Sequence, residues 1–341
     1  TNNYTTAVGY NVLTQNTASN VVGVGAYALT ANTSGDYNTA VGYSALELNT
    51  TGDKNVSVGH KALEANTTAN NNTAVGTAAL KANTTASDNT AVGMDSLALN
   101  TTGTRNTAVG SLTLDANTTG SDNTSIGQYA LSENTIGTRN TAVGTNCLDA
   151  NTEGDYNTAV GYSALGANTV ANYNTGLGYA SLNANTLGVR NTGVGYGAGD
   201  AITTGSYNVA VGMGSVGGLT TGEYNTAIGY ESLHAANSTG SNNTALGAYA
   251  LYKTTSGGNN TAVGINSLFE NTTGGANTSL GRNAMQKNTT GENNVAVGNS
   301  ALLNNTTADK SVAIGVNALL NSETGEQNVA IGYNTLQAED T

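Results

Sequence analysis

The sequence predicts an all-β protein, a parallel β-solenoid of about twenty 17-residue coils, and three observations carry that prediction. A version of Asn38-Thr39-Ala40-Val41-Gly42 returns about every seventeen residues along the chain. Apolar residues inside each copy recur at strand spacing, two apart. An Asn-Thr-Thr-Gly corner follows at a fixed phase, and Asn and Gly tolerate the left-handed conformations that turns need.

The period is marked by a glycine column that runs Gly9, Gly25, Gly42, Gly59 and onward to Gly332, twenty copies in all. Each step is 17 residues, apart from a first step of 16 and a step of 18 between Gly229 and Gly247, where His234-Ala235-Ala236-Asn237 carries an extra residue. Self-similarity at one period over a whole chain marks a solenoid, whose units bury their apolar residues only by stacking on neighbours. A single repeat domain over 1–341 is expected.

The strand comes first in each unit. Val, Ile or Leu precedes the glycine in all twenty copies, as at Val41, Val58 and Val75, and this column is expected to face the core. Two residues earlier the position is mostly Thr but becomes Val at Val22, Val56, Val209, Val295, Val312 and Val329, so the two columns share a face. Between them stand only Ala, Ser or Gly, as at Ala40, Ser57 and Gly176. With Gly42, Gly59 and their equivalents these form the opposite face, where tiny side chains imply close approach of another backbone. The strand should thus be buried on both sides; the plainer alternative is that Ala and Gly suit a tight turn.

A second apolar column lies four residues past the glycine, at Leu46, Leu63 and Leu80. Its neighbours, as in Ser44-Ala45-Leu46-Glu47-Leu48, include helix formers, yet a two-walled coil calls for a strand here. A short strand is favoured, and a single helical turn is the alternative. The corner closes the coil, and Asn then opens the next strand in seventeen of twenty copies, as at Asn38, Asn55, Asn72 and Asn89. Stacked at about 4.8 Å, these amides form a ladder along the axis, and twenty coils would make a rod of roughly 95 Å. Sequons such as Asn49-Thr50-Thr51 and Asn66-Thr67-Thr68 offer a second reading, as glycan acceptors.

Composition narrows the function. Trp is absent, Phe occurs once and only 9% of residues are charged, so stability must come from many thin layers rather than a globular core. A net charge of -12 argues against nucleic acid, which needs a basic stripe. Arg105, Arg139 and Arg190 share one corner column and are read as solvated charges. No run of about eighteen apolar residues is present to span a membrane. Cys147 occupies a small-residue column and is read as a core substitute for Ala.

The sequence shows no initiating Met, basic n-region or cleavage site, so any signal segment is expected to have been removed or never to have belonged to this stretch. The repeat is running at Thr5-Thr6-Ala7-Val8-Gly9 and again at Val329-Ala330-Ile331-Gly332, from which a fragment of a longer fibre, or ends covered by neighbouring molecules, is expected.

No catalytic, cofactor or metal site emerges. His60 and His234 occupy different columns, and no Gly-Lys-Ser, Gly-Lys-Thr or calcium nonapeptide pattern is present. The least regular stretch, Gly193 to Thr221, accumulates Gly197, Gly199, Gly214, Gly217 and Gly218 and reads as a bend or thinner section. Tyrosine is the one conspicuous surface resource: Tyr162, Tyr179 and Tyr196 follow the glycine in consecutive copies, as an aromatic ladder or a glycan-contact strip. Thr39, Thr73, Thr90, Thr107 and Thr124 form a second ladder, whose alternative use is ice binding.

With its columns laid out, the chain resembles the head repeats of YadA-like trimeric autotransporter adhesins. Ser311-Val312-Ala313-Ile314-Gly315 matches the Ser-Val-Ala-Ile-Gly strand of those repeats, and Asn328-Val329-Ala330-Ile331-Gly332 nearly so. The longer unit with Ala-Leu and Asn-Thr-Thr-Gly is also similar to repeat regions of phage and giant-virus tail-fibre-like proteins. The resemblance covers the whole chain, although the adhesin coil is shorter, the extra residues falling at the corner. It implies a left-handed parallel β-roll, often trimeric, that works as an extracellular stalk or head presenting a binding surface; together with the repeat's running ends, a non-catalytic fibre, filament or adhesin stalk at a cell surface or virion is expected, trimeric or assembled head to tail. Partners are then further copies of the chain and a glycan or protein receptor, with no cofactor.

Overall fold

The structure is a computed structural model and describes residues 4–337. It is an all-β parallel solenoid with one three-residue strand per repeat, and no helix occurs among the described residues. The residues fall into two compact units, Thr1–Ala171 and Asn172–Thr341. Strands β1 (Thr6–Val8) to β10 (Thr158–Val160) belong to the first unit, and β11 (Thr175–Leu177) to β20 (Val329–Ile331) to the second.

Within each unit successive strands pair in parallel and in register. Thr39, Ala40 and Val41 face Val56, Ser57 and Val58 in the first unit, and Thr192, Gly193 and Val194 face Val209, Ala210 and Val211 in the second. Identical columns therefore stack along the ladder. The 18-residue step leaves this register intact, since Thr226 still faces Thr244, and the extra residue is absorbed at the corner, where Leu219 and Ser238 form an isolated bridge.

The inside of the strand is the reverse of the expectation. Ala40 and its equivalents from β2 to β20 are buried, whereas Val41, Val58 and Val75 are 37%, 36% and 37% exposed. The Val column points out, and the Thr column beside it is mostly half-buried. The strand is thus buried on one face only. The cause is the thinness of the coil: a Cβ placed on Gly193 would lie 2.5 Å from Ser181 Oγ and 2.9 Å from Leu182 Cγ on the facing wall. At Gly193 not even a methyl fits, and where Ala40 and most of its equivalents stand, a side chain the size of Val has no room.

The facing wall is neither a strand nor a helical turn. Ser44 and Leu46 both take left-handed backbone angles, with φ of 51° and 53°, and the same alternation recurs at Lys61 and Leu63 and at Ala78 and Leu80. The wall is nevertheless laddered: Ser44 N–H donates to the Ala26 carbonyl at 2.9 Å, and Leu46 N–H donates to the Ala62 carbonyl at 3.0 Å. A left-handed residue other than glycine costs about 1–2 kcal/mol. Burying a leucine completely offsets part of that cost, by about 2–3 kcal/mol, and Leu46, Leu63 and Leu80 are fully buried.

The closing glycines are fixed by stacking. Gly59 has φ +141°, and a Cβ there would lie 2.3 Å from the Gly76 carbonyl oxygen of the next coil. No other residue fits this position.

Candidate functional site

The most distinctive surface is the outward strand face. In the first unit it carries Val41, Val58, Val75, Val109, Ile126 and Val160, each between 36% and 41% exposed. In the second unit Leu177, Ile228, Leu246, Leu280 and Ile314 hold the same column at 36% to 47%. The adjoining row is Thr or Val, so neither row contains a charge. With on the order of 50 Å² showing per coil, ten coils exceed the few hundred Å² at which an exposed apolar patch marks an interaction surface. Both rows are almost wholly β-branched, which makes the face stiff as well as apolar.

Two polar ladders run beside this face inside the coil. Asn38, Asn55, Asn72 and Asn89 are fully buried. Asn55 N–H donates to Asn38 Oδ1 at 2.9 Å, and Asn38 Nδ2 donates to the Gly52 carbonyl at 2.7 Å. The amides therefore run up the stack chiefly through backbone groups, and amide-to-amide bonds such as Asn55 Nδ2 to Asn38 Oδ1, 3.2 Å, are secondary. A true amide ladder lies at the corner, where sequence reasoning placed only a turn. Asn49 Nδ2 donates to Asn32 Oδ1 at 2.7 Å, Asn66 to Asn49 at 2.8 Å and Asn117 to Asn100 at 2.8 Å. The adjacent threonines add a third row, in which Thr50 Oγ1 donates to the Thr67 carbonyl at 3.0 Å.

Aromatic side chains gather in separate groups. Tyr162 in the first unit is 49% exposed, and in the second Tyr179 and Tyr196 are 49% and 61% exposed. Tyr179 and Tyr196 stack with centroids 4.9 Å apart and planes 6° from parallel. In the second unit His234, Tyr252 and Phe269 also stack, at 5.6 Å and 5.1 Å. His234 Nδ1 lies 2.7 Å from the Gly214 carbonyl oxygen. The glycines of the irregular stretch make this possible: a Cβ on Gly217 would lie 2.5 Å from His234 Nδ1, and one on Gly218 only 2.0 Å from the Ala235 carbonyl oxygen. They accommodate the inserted residue in the coil that follows.

The charges stay local. Arg105 pairs with Asp122 at 2.6 Å and holds that carboxyl below its ordinary range. Arg139 bonds the Tyr156 hydroxyl and lies 5.1 Å above its ring, while Arg190 lies over Tyr173 and Tyr207 at 5.2 Å and 5.4 Å. The hydrogen bond from Tyr230 to Glu231 pushes that phenol up to about 12. Cys147 is buried, and burial raises its thiol to about 11. Among the described residues no three His, Cys, Asp or Glu side chains are placed to hold a metal ion, and no helix is long and apolar enough to cross a membrane.

The outward turn of the Val column could have been read from the sequence. Alternation identifies two faces but not which is inside; the column that never exceeds Ala or Ser in size is the one with no room. The signal for the corner ladder was also present, since Ile202 and Leu219 replace its asparagines with apolar residues in a position that must therefore be buried. No family model matches the chain, and no curated protein matches it as a relative.

Proposed function

We propose that this chain is a non-catalytic structural repeat protein whose outward strand face packs against further copies of itself, building an extracellular fibre, filament or adhesin stalk that mediates surface attachment. The observation that carries this is the unbroken row of Val, Ile and Leu, exposed or half-buried, along the strands of each unit. Removing such a row from water favours association by about 25 cal/mol for each Å² buried. Its recurrence once per 17-residue coil presents the same geometry at every coil, so a second copy can dock in register along many coils at once. The weakly charged Asn-, Thr- and Gly-rich remainder suits a solvated exterior, and the resemblance to adhesin heads and tail-fibre repeats supports a place at a cell surface or virion.

Sedimentation equilibrium tests this directly. The wild-type chain is expected as an assembly, and a variant with Val41→Lys, Val75→Lys and Val109→Lys as a smaller species with an unchanged circular dichroism spectrum. A wild-type chain that stays monomeric at high concentration would end the proposal. The Thr row on the same outward face favours a second reading, ice binding, because Thr39, Thr73, Thr90, Thr107 and Thr124 stand half-buried on that face rather than in the core. Thermal hysteresis from a monomeric chain would establish that instead.

A further inference from the structure

The corner asparagines of the Asn-Thr-Thr sequons have opposite properties in the folded and unfolded chain. Unfolded, Asn49-Thr50-Thr51, Asn66-Thr67-Thr68 and Asn100-Thr101-Thr102 each satisfy the acceptor pattern for N-linked glycosylation. Folded, Asn49, Asn66 and Asn100 have no accessible surface. The amide nitrogen that would accept the sugar already donates twice: Asn49 Nδ2 to Asn32 Oδ1 at 2.7 Å and to the Gly52 carbonyl at 3.0 Å, and Asn100 Nδ2 to Asn83 Oδ1 at 3.0 Å and to the Gly103 carbonyl at 2.9 Å. The surroundings are closed as well, since a single added carbon on Gly52 would fall 2.5 Å from Asn49 Oδ1.

We propose that N-glycosylation of these asparagines and closure of the coil exclude each other, so that the sequons are acceptors only before the chain folds. The competing reaction is transfer from a lipid-pyrophosphate-linked oligosaccharide. Its anomeric carbon forms a bond to the amide nitrogen and releases the lipid pyrophosphate, and the nitrogen gives up one of its two protons. The product keeps one N–H where the ladder uses two, and carries a sugar where the structure leaves no space. A buried acceptor left without its donor shifts an equilibrium by about tenfold or more, before any steric cost. Because each corner amide both donates to one neighbour and accepts from the next, one modified coil also leaves a gap for the coil that follows.

A purified oligosaccharyltransferase supplied with its lipid-linked oligosaccharide tests this on the full chain in two states, native and freshly diluted from urea, with a Gly59→Ala, Gly93→Ala variant as a second unfolded substrate. Site occupancy is read by peptide mass spectrometry, and folding by protease resistance. Occupancy at Asn49, Asn66 and Asn100 is expected to be at least about tenfold higher in the unfolded samples, and the modified chains should remain protease-sensitive. A companion chain with Thr51→Val, Thr68→Val and Thr102→Val, changes at exposed positions to the residue this column already holds at Val170, should carry no sugar at Asn49, Asn66 and Asn100 when unfolded and should refold normally when the enzyme is left out. Sugar on any of these asparagines in a protease-resistant chain would overturn the exclusion. An unfolded chain left unmodified would overturn the acceptor role.

Discussion

The corner column of the first unit and the same column in the middle of the second solve one problem in two ways. From Asn32 to Asn134 the first unit fills its buried corner with asparagines that donate to one another and to the corner carbonyls. In the second unit Ile202, Leu219, Ser238 and Thr254 take that position in four successive coils, all fully buried, before asparagine resumes at Asn271. A polar ladder is stable only if every rung is satisfied, and an apolar plug only if its neighbours demand no partner. The two fillings are therefore exchanged in blocks, and strain should collect at the seam. It does: the Thr254 hydroxyl is one of two buried side-chain polar atoms without a hydrogen-bond partner among the described residues.

Putting a rung into the apolar block should cost most. Leu219→Asn removes a fully buried leucine and buries an amide next to Ile202, and is expected to destabilise by about 4 kcal/mol in urea unfolding followed by circular dichroism. Taking a rung out of the ladder should cost somewhat less. Asn100→Ala loses the bonds to Asn83 Oδ1 and the Gly103 carbonyl and strips the acceptor from Asn117, for about 3 kcal/mol, with accelerated hydrogen exchange confined to the adjoining coils. Equal and negligible costs for the two variants would show that the fillings are interchangeable residue by residue.

Repairing the seam is the next smaller effect. Thr254→Asn places an amide where its oxygen can accept from Asn271, which already donates to the Gly274 carbonyl, and should stabilise by about 1 kcal/mol. Thr254→Val should be close to neutral.

The smallest effect is that of pH. Burial raises the carboxyl groups of Asp115 and Asp149 in the first unit, and neighbouring Glu133 raises both further. A carboxyl raised in the folded state favours the folded chain when protonated. That contribution is complete below the unfolded value near 4 and is lost as pH rises through the folded value. The melting temperature should therefore fall slightly as pH rises through the carboxylate range, and Asp115→Asn should flatten that dependence. In the second unit burial likewise raises Asp200, but His234 opposes it, so Asp200→Asn should change the slope less.

Much of the fold was legible because repetition turns one local signal into twenty. The parallel strand, its register and the closing glycine all follow from columns, and the buried Leu46, Leu63 and Leu80 wall was placed on the inside by its residue type alone. What escaped was geometry without a distinctive composition. Nothing in Ser44-Ala45-Leu46 announces left-handed backbone at both Ser44 and Leu46, because leucine rarely adopts it and does so here only under the demand of stacking. The direction of Val41 escaped for a different reason, because the signal was present in the Ala-, Ser- and Gly-only column beside it but pointed against the hydrophobicity of Val. Hydrophobicity argues for the inside, but the gap between the walls admits Ala40 and excludes Val41, so size overrules polarity. The surface that results is the one that carries the proposed assembly.

Cryo-electron microscopy of the natively purified material is the most direct test of that assembly. Copies of the chain joined through their strand faces, with Val41, Val58 and Val75 enclosed between neighbours, are the predicted result. Isolated chains whose Val columns face solvent along their length would contradict it.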